Sequence, residues 1–430
     1  MRLLLIISQY SPSQTPNTLR WRPLVRELQN RGDITVTVLT THHSGCEDKE
    51  QQDGVTIYRA GHNTLLDRGY NFLRSDRRRN VANQGPNGAG RLRGLLEKLV
   101  DKTWRNNYWP DGSKLFLKPG IQTGQQIIAT DKITHILSVG LPFTCHWIAK
   151  TLKEQNPALH WHMDIQDPFS YSKEFWVNNF SKYAAKNNEA EEEAFDLADS
   201  ISVTNNRAGE RYKELFPAVT PKLREIPPCF HKEDYGDSYN MILYPEKIHL
   251  GYFGSFYTAV RSPLPFLKFL SFLQVQDENL FDRIQLHFVG QLDSESEAMI
   301  DSFPELRGHL IRHGFKSRVE TLDAMSQVDI LINFGNTTDY HLPSKVVDYL
   351  YMNKPVLNII STENDSTKAF LKGKTELLNL DLDKNQYEAQ KAAFLAFALA
   401  TRAKEQPDYG KVAAYSTGAI ADSYLEELGY

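Results

Sequence analysis

Four residues in the segment "HLPSKVVDYLYMNKPVLNII" (341–360) could do chemistry together: Pro343, Ser344, Lys345 and Asp348. Wound as a helix at about 100° per residue, Ser344, Lys345 and Asp348 share one face, and Val346, Val347, Leu350 and Tyr351 share the other. Pro343 suits a first helical position, where its missing N–H costs nothing. A helix start offers free N–H groups and a partial positive charge. With Lys345 and Ser344 beside it, such a start is a seat for phosphate. Asp348, one turn deeper, could accept hydrogen bonds from the two vicinal hydroxyls of a ribose. The carboxylate and the cationic start would then serve opposite ends of one nucleotide. The plain alternative is an amphipathic helix with a capped end.

Such a site needs elements that hold it. Short β-rich apolar runs alternate with helical stretches along most of the chain. "RLLLII" (2–7), a helical pattern from Leu19 to Arg31, and "ITVTVLT" (34–40) form a βαβ unit, which implies a parallel sheet. "VTIYRA" (55–60), "THILSV" (134–139), "HWHMDI" (160–165), "SISVT" (200–204) and "LREIPP" (223–228) continue the series. A second series comprises "IHLGYFGS" (248–255), "IQLHFVG" (284–290), "LIRHGF" (310–315), "VDILINF" (328–334) and "PVLNII" (355–360). The expected organisation is a Rossmann-like domain at 1–230, a linker at 231–246, a second Rossmann-like domain at 247–409, and a final helix at 410–430 crossing back to the first domain. Open α/β sheets bind ligands at the carboxyl ends of their strands, so a cleft between two doubly wound domains is the expected site.

Bulk properties narrow the function. The 430 residues are 41% hydrophobic and 24% charged, as in a globular protein with two full cores. With 49 basic against 53 acidic residues, the formal charge of −4 gives no reason to expect nucleic acid as a partner. Cys46, Cys145 and Cys229 are spaced neither as a disulfide framework nor as a zinc site, which suits a reducing compartment. The apolar run Leu3–Ile7 is too short for a signal sequence or a membrane span and reads as a buried first strand. The expected location is therefore cytoplasmic. Residues 66–105 carry ten Lys and Arg against four Asp and Glu. They read either as a solvated insertion or as a seat for anionic lipid headgroups, which would place the protein peripherally on the inner membrane face. The acidic run "EAEEEAF" (189–195) reads as a solvated helix face.

"PSKVVDYLYMNKPVL" resembles the C-terminal signature of the family 4 retaining glycosyltransferases of the GT-B fold, in the form seen in their bacterial surface-polysaccharide branch. Asp348 stands at the second acid of that signature, and Tyr340 replaces the first. "SQYSPSQTPNTLRWRPLVRELQNRGDITVTVLT" resembles the family's first loop and helix, with Thr18 and Arg20 at the loop and Pro16-Asn17-Thr18 in place of its Gly-rich form. "NYWPDGSKLFLKPG", "SVGLPFTCHWIA" and "HMDIQDPFS" resemble later segments of the first domain, with Gln166 and Phe169 at positions where Arg and Trp are usual. "GYFGSFYTAVRSPLPFLKFL" resembles the opening of the second domain, where Gly254 and Ser255 form a turn and a basic residue, here Arg261, grips the diphosphate.

The resemblance implies a transferase that moves a sugar, with retention, from a nucleotide-sugar donor, UDP-sugar favoured, to a glycan or polyprenyl-diphosphate-linked glycan. It implies no metal and no other cofactor, because protein cations stabilise the leaving diphosphate. Gly314 and Phe315 would pass near the nucleobase; a plain strand-to-helix turn is the alternative. Base candidates for the acceptor hydroxyl are His146, Asp164 and Asp167. His146 could equally be an ordinary helix-face histidine, Asp164 a supporting hydrogen-bond acceptor, and Asp167-Pro168 a turn. Other readings are a sugar-nucleotide epimerase, or a non-catalytic sugar- or nucleotide-binding protein on the same scaffold.

Overall fold

The structure is a computed structural model, and it describes residues 1–13, 15–61, 107–173, 177–235, 239–256, 258, 260–382, 386–400 and 406–430. The basic segment 66–105 lies outside the described residues. The chain divides into two compact units. The first holds Met1–Thr204, Tyr212–Ile226 and Ala421–Tyr430, and the second holds Asn205–Arg211 and Pro227–Ile420.

The first unit carries β1 (Arg2–Ile6), β2 (Thr35–Thr41), β3 (Lys49–Gln52), β4 (Val55–Ala60), β5 (His135–Gly140), β6 (His160–Ile165), β7 (Ser200–Val203) and β8 (Leu223–Glu225). Their order in the sheet is β3-β4-β2-β1-β5-β6-β7-β8, and every pairing is parallel except that of β3 with β4. The central strands are aliphatic and buried on both faces, as a parallel sheet covered by helices requires. The first helix spans Pro16–Asn30, three residues earlier than its periodicity predicts, because Thr15 caps it and Pro16 fits its first position.

The second unit carries β9 (Ile248–Phe253), β10 (Ile284–Val289), β11 (Leu310–Gly314), β12 (Ile330–Phe334), β13 (Val356–Ile360) and β14 (Leu377–Asp381). Their order is β11-β10-β9-β12-β13-β14, all parallel. Renumbered within the unit this is the 3-2-1-4-5-6 order of a doubly wound nucleotide-binding sheet, with its switch point between β9 and β12. Leu250, Tyr252, Leu286, Phe288, Ile332 and Phe334 pack one face against Phe266, Leu267 and Leu270 of helix Leu264–Gln276. Phe253, Val289, Leu331 and Val356 pack the other against Leu322, Met325, Val346 and Leu350. Each such side chain stabilises the fold by roughly 1.5–3 kcal/mol relative to exposure. Inside this apolar sheet runs a polar column. Asn333, Asn358 and Asn379 lie directly opposite one another on β12, β13 and β14, and their amides bond in series at 2.8 and 2.9 Å.

The last helix, Thr417–Glu427, begins in the second unit and ends in the first. Two Rossmann-like sheets, with a C-terminal helix whose residues are shared between the two units, make up the described fold. No described helix is long and apolar enough to cross a membrane.

Candidate functional site

The carboxyl ends of β9, β10 and β11 approach one another closely. Gly254 N–H donates to the Val289 carbonyl at 2.8 Å, and Gly290 N–H donates to the Gly314 carbonyl at 2.9 Å. A Cβ on Gly290 would stand 2.3 Å from the Gly254 carbonyl oxygen, and both glycines have positive φ, +142° and +145°. Only glycine fits that approach.

At the switch point next to Gly254, two cations meet around Tyr252. The Arg261 guanidinium donates to Asn336 Oδ1 from Nε at 3.1 Å and from Nη2 at 2.7 Å, and Nη1 donates to the Tyr252 hydroxyl oxygen at 3.2 Å. Tyr252 in turn donates to the carbonyl of Ser255 at 2.9 Å. The Lys345 side-chain nitrogen donates to the Phe253 carbonyl at 3.1 Å and lies 4.1 Å from the Tyr252 ring centre. Burial, and then the neighbouring Arg261 charge, hold Lys345 well below the usual lysine range. Among the described residues neither cation has a carboxylate partner. Gly254, Ser255, Arg261 and Lys345 are thus gathered in one place.

The expected start of the helix is corrected. It spans Val346–Met352, so Pro343 and Ser344 precede it and Pro343 is not its first residue; Pro343 instead accepts the Val346 N–H through its carbonyl at 3.1 Å, as a turn. Ser344 is exposed. Asp348 is 1% exposed and does not present an open carboxylate. Arg318 grips it with two N–H donors, Nη1 to Oδ2 at 2.8 Å and Nη2 to Oδ1 at 2.7 Å, while the Tyr235 hydroxyl donates to Oδ1 at 2.9 Å. A carboxylate has about four acceptor positions, and three are occupied here. Arg318 is fixed from behind by Asp234, which accepts from its Nε at 3.1 Å. Nothing in the local spacing announces this cluster: Arg318 comes from the start of a different helix, Arg318–Gln327.

Gly314 ends β11 with φ +68°, and Phe315 beyond it is 78% exposed. Lys316 stacks on Tyr239 with its nitrogen 4.5 Å from the ring centre. Tyr239 is the end of a chain of ring-to-ring hydrogen bonds: His313 Nδ1 lies 3.0 Å from its hydroxyl, His287 Nδ1 lies 2.9 Å from His313 Nε2, and His249 Nδ1 lies 2.9 Å from His287 Nε2.

In the first unit the base candidates separate. His146 is 2% exposed, its Nδ1 lies 2.8 Å from Ser138 Oγ, and its Nε2 has no partner among the described residues. A Cβ on Gly140 would stand 2.2 Å from that Nε2. Burial, helped by His162, pushes His146 down to about 3. Asp164 is fully buried and accepts from Ser202 Oγ at 2.8 Å, the Tyr424 hydroxyl at 2.9 Å and Gln166 Nε2. Burial raises its carboxyl against the pull of Arg20. Arg20, expected at the first loop, is buried and donates to the Tyr424 hydroxyl at 2.9 Å and the Ile226 carbonyl at 3.2 Å. Asp164 and Arg20 therefore hold the end of the C-terminal helix, and the geometry favours the supporting role for Asp164 over that of a base. Thr18 is likewise internal: its hydroxyl lies 3.0 Å from Thr15 Oγ1 and donates to the Gln9 carbonyl at 3.1 Å. Asp167 is half-buried, and burial raises its carboxyl to about 6, within reach of proton transfer near neutral pH.

Two further acids lay outside these expectations. Asp111 is buried and accepts from Thr144 N at 2.8 Å, Thr144 Oγ1 at 2.8 Å and Ser113 N at 2.8 Å, fixing the start of helix Thr144–Gln155. Glu191, within the run read as solvated, is fully buried; it accepts from the Tyr212 hydroxyl at 2.7 Å and Ser170 N at 3.1 Å, and burial lifts it to about 7.

No protein-family model matches the chain, and no curated protein matches it in sequence. Solved structures do match it in shape. Sucrose-phosphate synthase from Thermosynechococcus elongatus superposes with a TM-score of 0.63 at 14% identity, covering 99% of this chain and 97% of that one. WaaG, a glycosyltransferase involved in lipopolysaccharide biosynthesis, gives 0.55 at 11% identity, covering 99% and 95%. HepE from Anabaena, solved in complex with UDP-glucose, gives 0.55 at 10% identity, covering 100% and 99%. At these identities the likeness establishes the GT-B fold.

Proposed function

We propose that this chain is a nucleotide-sugar glycosyltransferase. The observation that carries the reading is the pair Arg261 and Lys345, converging on Tyr252 at the switch point of a nucleotide-type sheet without an acid partner among the described residues. Such a pair suits a diphosphate, whose charge grows as the sugar leaves. Gly254 and Ser255 shape the turn beside it, and Gly314 with Phe315 supplies the nucleobase end. In this reading the sugar passes with retention from a UDP-sugar to a glycan or polyprenyl-diphosphate-linked glycan in bacterial polysaccharide synthesis. The structural likeness to WaaG and HepE supports the substrate class. Protein cations do the electrostatic work, and neither a metal nor another cofactor is invoked. The acceptor hydroxyl gives its proton to a donor phosphate oxygen or to Asp167, whose carboxyl is raised to about 6. The enzyme works in the cytoplasm, with residues 66–105 resting on an anionic membrane face.

Calorimetric titration with UDP, GDP and ADP tests the donor site. UDP is expected to bind, and Arg261→Ala to weaken it by about tenfold to a hundredfold, the loss of one or two charge-assisted hydrogen bonds. Failure of every nucleotide to bind, or unchanged affinity in Arg261→Ala, would remove the reading. Binding of UDP with no transfer from any UDP-sugar to a lipid-linked acceptor would leave a nucleotide-binding protein. Flotation with anionic liposomes, repeated after neutralising Arg77, Arg78 and Arg79, tests the membrane contact.

A further inference from the structure

Arg261 and Lys345 present a charge imbalance that the fold does not correct. Both touch Tyr252, one at its hydroxyl and one over its ring. Among the described residues Lys345 also meets the Phe253 carbonyl and Tyr349, whose ring centre is 5.7 Å from its side-chain nitrogen. His341 stands on the Arg261 side, with its Nδ1 2.7 Å from Thr338 Oγ1. Asp348, one turn along from Lys345, is the acid that could balance the pair, but its oxygens are taken by the Arg318 fork and the Tyr235 hydroxyl. All the described acceptors on the two cations are therefore neutral. An arginine keeps its proton under ordinary conditions, whereas a lysine drawn partly out of water, as the half-buried Lys345 is, gives its proton up more readily. The two forces that act on Lys345, burial and the Arg261 charge, both favour the free amine.

Given the reading that a nucleotide diphosphate seats here, we propose that Lys345 is largely an uncharged amine in the ligand-free protein and takes up one proton from solvent as the phosphates arrive. The amine lone pair takes the proton, and the ammonium so formed pairs with a phosphate oxygen; no other bond forms or breaks. Binding of the anion and charging of the lysine are one event. A diphosphate then meets a second cation that a neutral or weakly charged molecule would not call up, so the device selects for the density of negative charge.

The test is calorimetry of the full chain with UDP in buffers of different ionisation enthalpy, above about pH 8, where phosphate groups with a second pKa of about 6 are fully ionised. Histidines, with a reference value of about 6.5, are neutral there too. The expected result is an uptake approaching one proton per UDP, and an affinity that falls by up to about tenfold per pH unit. Lys345→Arg, which holds its charge permanently, should bind UDP without uptake and with a flat pH dependence. Lys345→Met, which retains the stem without a titrating group, should bind more weakly and also without uptake, and its circular dichroism reports whether it folds. UDP binding to the wild type without proton uptake would overturn the inference and leave the nucleotide reading standing. Equal uptake in the wild type and both variants would assign the proton elsewhere and overturn it as well. If no nucleotide binds the wild type, the functional reading fails and the inference falls with it.

Discussion

Replacing Arg318 with methionine should strand a buried charge. Asp348 has a side chain only 2% exposed and, among the described residues, keeps the Tyr235 hydroxyl as a donor, while Arg318 is 28% exposed. Removing one partner of a buried ion pair costs about 3–5 kcal/mol. The partial exposure of Arg318 lets water reach the vacated place, so the lower end, about 3 kcal/mol, is expected for Arg318→Met. Asp348→Asn should cost less, about 1–2 kcal/mol, because Arg318 retains Asp234 and solvent. The double variant Arg318→Met/Asp348→Asn removes both charges, and should fall short of the summed single losses by about 2 kcal/mol. Because the chain has two units, a single unfolding free energy is not well defined. Native-state hydrogen exchange of peptides covering 318–327 and 346–352 reads the local loss directly. A loss below about 1 kcal/mol in Arg318→Met, or no coupling within about 0.5 kcal/mol, would refute the picture of a closed pair and return Asp348 to the role of an open ligand acceptor.

Three other outcomes follow from the packing. Gly290→Ala puts a Cβ at 2.3 Å from the Gly254 carbonyl oxygen at a positive φ, and should cost about 2–5 kcal/mol, read as faster native-state hydrogen exchange in β9 and β10; Gly308→Ala, which meets nothing within 4 Å, is the neutral control. Glu191 has its folded value raised from 4.5 to about 7. The folded state therefore binds its proton more tightly than the unfolded state, and the stability it contributes is present at low pH and lost as pH rises through that window. The loss amounts to about 3 kcal/mol, and Glu191→Gln should flatten that part of the stability–pH curve. Tyr424→Phe removes a hydroxyl that joins Arg20 to Asp164, and should cost about 1–3 kcal/mol, seen as faster exchange in residues 421–428.

The strands were readable because parallel sheets bury both faces: "RLLLII", "ITVTVLT" and "VDILINF" announce β1, β2 and β12 by unbroken aliphatic character. β3 carries Lys49-Glu50-Gln51-Gln52 at an open edge, where no apolar face is needed and no pattern survives to be read. β14 escaped for a related reason, being a half-buried edge. The cationic pair was accessible because Lys345 stands at a helix start and Arg261 lies in a segment that resembles the opening of a known family's second domain. Its surroundings were not. The Arg318–Asp348 pair joins two helices thirty residues apart, and spacing within one helix cannot show what another brings to it. Glu191 did leave a trace. Asn187, Ala190, Ala194 and Phe195 form the buried stripe of their helix, and Glu191 falls inside it; the surrounding acids concealed a position that the small residues mark.

The asparagine column on β12, β13 and β14 bears on how the sheet finds its alignment. Aliphatic strands such as "ILINF" and "VLNII" would pack tolerably in several offsets, since one branched side chain can stand in for another. An amide cannot be exchanged in that way. Sliding one strand by a single residue would turn its Asn to the opposite face and leave two amides facing hydrocarbon, at a cost of about 1–3 kcal/mol for each stranded group. Three polar residues thereby act as a keyed joint among interchangeable parts, and the position of Lys345, which follows β12 in the chain, inherits its accuracy from them.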